Sequence, residues 1–375
     1  MDTFDDIRPY RDDEVGPAIA RLCNDRAFVA FAGRFAAPRL PKQLRALTYS
    51  ALRVLIRRQA ERLRSVDDLQ CLMSGYLETL LRHTSDGMTV SGLDELDLTA
   101  PHLFISNHRD IALDPTLLNY AIWLRGHATT QVAIGDNLLG TGFLSHLMRV
   151  NKAFLVARDV SGAKAQLKAM RQTSAYMRQT LEAGESVWIA QREGRSKDGM
   201  DRTEPALLKM LQLAYRDDAP TLADWLRLVR LVPVSITYEI DPCAPSKARE
   251  LYFTARDGRY CKRPDDDMES IEAGVRGFKG RIHLHCSPPV DGDFGDADEL
   301  ARHLDGIIVS NLVAYPTHHY ARSRLDGADR DLTETSRRGR QAFFDDLNRC
   351  PPEQAPYFLH QYANLVKNQL AVQSA

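Results

Sequence analysis

The stretch Phe-Ile-Ser-Asn-His-Arg-Asp-Ile-Ala-Leu-Asp-Pro, residues 104–115, sets a histidine at the mouth of a short apolar run. Histidine titrates near neutrality, so His108 can act as a general base if a carboxylate holds its other ring nitrogen. Two aspartates offer themselves, Asp110 and Asp114, two and six residues after His108. Asp114 also suits a helix N-cap with Pro115 as the first helical residue, and Asp110 suits the end of an Asx turn. Neither spacing shares a helical face with His108, so His108 must precede the helix, on a loop.

A second apolar run ends in Gln-Arg-Glu-Gly-Arg-Ser-Lys-Asp-Gly, residues 191–199. Gly194 lets the backbone approach a ligand, and Arg192, Arg195 and Lys197 supply donors for a cluster of anionic oxygens such as phosphate. Glu193 repels phosphate and suits a hydroxyl or a neighbouring arginine instead. A Walker-type loop is excluded, because its glycine and Gly-Lys-Ser/Thr spacing is absent. Arg158 stands just past another apolar run. His283 and His285 share one face of a run with Cys286 opposite, and His318 and His319 follow. No third ligand has a recognisable spacing, so no metal is expected.

These residues need elements to hold them. Apolar runs at 102–106, 131–135, 153–157, 186–190, 228–238 and 281–286 read as strands. Helical patterns fill 115–124, 142–149, 162–183, 204–215 and 296–312. The alternation predicts an α/β fold, with a mostly parallel or mixed sheet flanked by helices. In such sheets functional groups gather at the carboxyl ends of strands, where His108 and Glu193 both lie. Pro233 inside its strand argues for an edge or a bend. Residues 1–86 read as an N-terminal helical unit, 87–324 as the α/β domain and 325–375 as a helical C-terminal appendage. Within the first, Leu44, Leu47, Leu52, Val54, Leu55 and Ile56 form an apolar stripe among arginines and lysines.

The chain has 375 residues and a net charge of −1, which gives no reason to expect nucleic acid. Its six cysteines are scattered without a Cys-x-x-Cys pair, pointing to a reducing cytoplasm. The acidic opening, Met-Asp-Thr-Phe-Asp-Asp, is the opposite of a signal peptide, and no run is long enough to span a bilayer.

The order Asn-His with a following aspartate, a strand-borne arginine, Glu-Gly-Arg-Ser, and Val-Pro-Val resembles the four-block pattern of the glycerolipid acyltransferases, the bacterial glycerol-3-phosphate and 1-acylglycerol-3-phosphate O-acyltransferases. Asn107 and His108 match the first block, Lys152 to Arg158 the second without its glycine, Gln191 to Ser196 the third one residue short, and residues 232–234 the fourth. Residues 280–290 are also similar to the strand and turn that follow in those enzymes. The family aspartate stands five residues after the histidine, and Asp114 with Pro115 matches its context better than Asp110.

The resemblance implies transfer of a fatty acyl group from acyl-CoA or acyl carrier protein to a hydroxyl of glycerol 3-phosphate or a lysophospholipid. His108 would be the base and an aspartate its partner. Asn107, Arg158, Glu193, Gly194, Arg195, Ser196 and Lys197 would bind substrate. No cofactor is implied beyond the acyl co-substrate, and no Ser or Cys stands in a nucleophile elbow. A lipid product implies a peripheral position on the inner face of the cytoplasmic membrane, with Leu138, Leu139, Phe143, Leu144, Leu147 and Met148 suited to an interface or an acyl tunnel. The alternatives are a non-catalytic lipid- or carrier-binding protein on the same scaffold, and an aminolipid acceptor.

Overall fold

A computed structural model describes residues 4–36, 53–58, 61–136, 142–157, 160–328 and 330–374. The fold is α/β. The described residues form seven strands: β1 (Met88–Ser91), β2 (Leu103–Ser106), β3 (Gln131–Gly135), β4 (Ala153–Val156), β5 (Val187–Ala190), β6 (Leu231–Tyr238) and β7 (Ile282–Cys286). Contacts divide the chain into two compact units, each discontinuous in sequence: 1–77 with 130–179, and 78–129 with 180–375.

In the larger unit the strand order is β1-β7-β6-β2-β5. All neighbours run parallel except β6 and β7. Strands β2 and β6 are buried along their whole length, as their unbroken apolar runs require. Pro233 therefore lies in an interior strand, not at an edge. A strand residue points its N–H and C=O to the same side, and Pro233 turns that side to Ser287, whose amide donates to its carbonyl (2.9 Å). Ser287 is just past the end of β7, so the missing N–H falls where the ladder has run out. On the other side Pro233 registers with Ile105 and owes it no bond.

The chain from 325 onward folds into this same unit. Helices Arg337–Arg349 and Ala355–Gln373 pack with Ala244–Asp257 and Pro316–Leu325 around Phe343, Phe358, Tyr362, Ala321 and Ala248. Phe343 and Phe358 are fully buried, which makes this a second core. Among the described residues, β1 and the helices Leu222–Val229, Ala244–Asp257, Asp266–Arg276 and Pro316–Leu325 are not among the elements expected from the sequence.

The smaller unit packs helices Asp12–Asn24 and Gly142–Val150 around Val15, Ala18, Ile19, Cys23 and Val150, beside the parallel pair β3 and β4. Phe143 and Leu144 are buried here, with Phe28 and Phe31 against the Phe143 ring, so they are core rather than an interfacial face. Leu138, Leu139, Leu44, Leu47 and Leu52 lie outside the described residues. Lys152, where the family block has glycine, holds a left-handed φ of 63°. No described helix is long and apolar enough to cross a membrane.

Candidate active site

Strand β2 delivers its next residues to the centre of the larger unit. Asn107 is fully buried, and its side-chain amide pairs with the backbone of Ile236 in β6 through both groups (Nδ2 to O 2.9 Å, N to Oδ1 2.8 Å). It pins the turn to the neighbouring strand. Both groups of the amide are thus engaged with β6 rather than turned to the open side of the loop.

His108 follows on the loop before helix Leu113–Trp123, and its Nδ1 lies 2.7 Å from Asp114 Oδ2. The ring meets Trp188 of β5 edge-on at 5.8 Å, and Trp188 is itself fixed by donating from Nε1 to Ser106 Oγ (3.0 Å). Asp114 Oδ2 also accepts from the amides of Arg109 (2.6 Å) and Asp110 (2.9 Å), and Oδ1 accepts from the Tyr238 hydroxyl (2.8 Å). Burial works to raise the Asp114 carboxyl, but the hydrogen bond and charge of His108 and the two amides outweigh it and hold the group below its ordinary value. Burial and the Asp114 charge push the Tyr238 phenol well above its usual range, so it stays a donor.

Asp114 is not the helix cap. The helix starts at Leu113, which puts Asp114 in its first turn, where the exposed amides favour a carboxylate. Asp110 guards the entry instead, its Oδ1 accepting from the amides of Ala112 (2.9 Å) and Leu113 (2.8 Å) in an Asx turn. Its other oxygen lies against Gly274, where a Cβ would overlap it. Burial and the charge of Asp114 raise the Asp110 carboxyl. The structure thus brings Asp114, and not Asp110, into contact with His108.

The 191–199 loop is stitched to the His108 loop by its backbone. Gln191 N donates to Ser106 O (2.8 Å) and Ser196 N to His108 O (2.7 Å). Gly194 turns the loop with φ of 73°. Arg109 reaches across to the buried Asp201 (2.5 Å) and to Ser196 Oγ (3.4 Å). Lys247, also buried, donates to the Arg109 carbonyl (2.8 Å) and pairs with Asp241 (2.5 Å). From the far side, Asn364 and Asn368 of the C-terminal helix hold the carbonyls of Asp198 (2.7 Å) and Gly199 (3.3 Å).

The side chains of this loop divide their duties. Ser196 is buried and donates to Met200 O (3.2 Å), so it shapes the loop. Lys197 forms an ion pair with Glu250. Glu193 is exposed. Arg195 donates to Ser270 Oγ (3.3 Å), while its Nη1 is buried and has no hydrogen-bond partner among the described residues. Arg195 borders a cavity of about 240 Å³, lined both by Lys247, Arg249, Lys262 and Arg263 and by Glu250, Asp266, Asp267 and Glu269. Arg158 lies outside the described residues.

His283 and His285 engage hydroxyls of β1, through Thr89 (2.7 Å) and Ser91 (3.1 and 2.8 Å), and no group of three metal-ligating side chains occurs among the described residues. Tyr238, Trp188 and Asp201 escaped the sequence reading. Tyr238 had a usable signal, since it ends a strand parallel to β2 and falls under the rule that found His108. Trp188 and Asp201 had none, because each contact depends on strand or loop pairing across more than 80 residues.

A family model described as acyltransferase matches residues 87–234, which take in His108, Asp114 and the 191–199 loop. No curated protein matches the chain. The order of the motifs and this match agree: residues 87–234 carry an acyltransferase domain.

Proposed function

We propose that this acyltransferase moves a fatty acyl group from acyl-CoA or acyl carrier protein to a hydroxyl of glycerol 3-phosphate or 1-acylglycerol 3-phosphate. The observation that carries the reading is the His108–Asp114 contact. With Nδ1–H directed to an ionised, buried carboxylate, the basic lone pair sits on Nε2. That nitrogen takes the acceptor's proton as its oxygen attacks the thioester carbonyl. The tetrahedral adduct then collapses, the C–S bond breaks, and the imidazolium returns the proton to the leaving thiolate. Asp114 balances the positive charge on the ring during this interval, and Tyr238 keeps the carboxylate from rotating.

Arg195 is the strongest candidate for the acceptor phosphate, because a buried guanidinium nitrogen without a partner calls for an anion. Lys197, already paired with Glu250, takes a smaller share. Arg158 joins them by family resemblance. Gly194 gives the turn that presents Arg195, and Glu193 serves an acceptor hydroxyl. Proton transfer by histidine requires no metal or organic cofactor here beyond the acyl co-substrate. Since the product is a lipid, the enzyme works as a peripheral protein at the inner face of the cytoplasmic membrane.

The test is an acyl-transfer assay with both donors and both acceptors, using His108→Ala as the blank. Transfer to either acceptor that the blank lacks supports the reading. Activity indistinguishable from the blank with every pair refutes it.

A further inference from the structure

Helix Ala163–Glu182 is built on a stripe that outruns the body it packs on. Ala163, Leu167, Met170, Ser174 and Met177 follow one another at spacings of four, three, four and three, so they share one face. Ser174 and Met177 are buried, whereas Leu167 is 41% exposed and Met170 43%. Every residue from Ser161 to Lys168 is exposed. Beside the bare stripe, one residue round the helix, Lys164, Lys168 and Arg171 repeat the same spacing. No acidic residue occurs between Val160 and Leu181.

The charge of the surrounding unit points the same way. Residues 1–77 and 130–179 hold 20 Lys and Arg against 12 Asp and Glu, a net +8, in a chain whose total is −1. The same unit exposes Val54 (52%) and Leu55 (59%) among Arg53, Arg57 and Arg58. Two large aliphatic side chains flanked by cations, twice in one basic unit, match an apolar layer capped by negative charge.

We infer that the exposed first half of helix Ala163–Glu182 docks on an anionic lipid surface, with Leu167 and Met170 entering the acyl boundary and Lys164, Lys168 and Arg171 meeting the headgroups. This rests on the lipid-product reading above. An acidic carrier protein is the competing occupant. The bilayer is favoured because a second segment of the same chemistry, Val54 and Leu55 among Arg53, Arg57 and Arg58, stands in the same basic unit.

The experiment floats the full chain with vesicles of phosphatidylcholine, alone or mixed with phosphatidylserine. It compares wild type, the double variant Lys164→Gln/Lys168→Gln and the double variant Leu167→Gln/Met170→Gln. All four positions are exposed, and unchanged melting temperatures check the folds. Wild type is expected to float only with the anionic vesicles. The lysine pair should lower partition by roughly thirtyfold, at about 1 kcal/mol per cation, and the apolar pair should abolish flotation. Acyl transfer to water-soluble glycerol 3-phosphate should persist in both.

Equal flotation on neutral and anionic vesicles overturns the inference, as does flotation of both variants like wild type. So does a result in which the variants float normally but lose binding to acyl carrier protein. Should the flotation pattern hold while no variant and no wild type transfers an acyl group, the docking stands and the proposed reaction falls.

Discussion

Asp114 Oδ2 lies 2.7 Å from His108 Nδ1, and three other donors share the same carboxylate. Replacing it by Asn keeps the shape, because the amide oxygen can face the three donors at Oδ2 while the Tyr238 hydroxyl turns to accept. What disappears is the charge that balances the imidazolium. Asp114→Asn should therefore fold and lose turnover by about 10³-fold or more. Asp110→Asn should cost less than about tenfold, since that residue holds a helix entry. Steady-state kcat for the two variants decides, and the reverse order would hand the partner role to Asp110.

Tyr238→Phe removes one donor and nothing else of size. A hydrogen bond to a charged group contributes about 1.5–3 kcal/mol, so kcat should fall by roughly tenfold to a hundredfold. The acceptor KM should hardly move, because the phenol faces Asp114 rather than a substrate. A change confined to KM would place Tyr238 at the binding site.

How much of this was legible can be seen from Asp114 itself. The sequence placed His108 on a loop and offered two aspartates, and it matched Asp114 to the family context through Pro115. It misplaced the helix start by two residues, because proline was assigned to the first helical position when any early position tolerates it. That error made Asp114 a cap, whereas the Asx turn read for Asp110 is the one it forms. Asn107 was legible as a motif but not as a pin, since its partner Ile236 is 129 residues away. Pro233 misled for a similar reason: which side of a strand a missing N–H faces depends on where β7 ends. Local chemistry and the strand–helix rhythm were readable, and pairings set by sheet register were not.

Arg195→Ala should raise the acceptor KM far more than the donor KM, by roughly tenfold to a hundredfold for a lost charge-assisted contact. Lys197→Ala should do less, because Lys197 already answers Glu250. Measured KM values for both substrates separate the cases. Equal effects of Arg195→Ala on the two would remove that residue from the phosphate site.

Gly199 ties the active-site loop to the C-terminal helix. Its φ of 77° lies in the left-handed region, and a Cβ there would overlap the carbonyl of Gln361. Gly199→Ala should destabilise the fold by about 2 kcal/mol or more and lower activity with it. Gly162→Ala, at a φ of 93° with open space around it, is the control for backbone strain alone. Chemical unfolding of both variants measures the difference, and equal losses would show that the contact with Gln361 adds nothing.

His318 supplies a pH dependence that owes nothing to catalysis. Burial, with the nearby charge of Arg109, lowers its pKa to about 3, and its Nδ1 accepts from the Tyr315 amide (2.9 Å). Between pH 6.5 and 3 the unfolded chain takes up a proton that the folded chain refuses, so this residue's contribution to stability is lost as the pH falls. At pH 4.5 the loss comes to about 2–3 kcal/mol. Asp305 works in the opposite sense. Burial raises it to about 6, so the folded chain keeps a proton that the unfolded chain releases above pH 3.8, and its contribution is lost as the pH rises through that window. His318→Asn keeps an acceptor for Tyr315 and removes only the titration. Urea unfolding at pH 7.5 and 4.5 should show wild type losing about 2 kcal/mol more than the variant on acidification. Parallel losses would mean that His318 takes up its proton in the folded state as readily as in the unfolded chain.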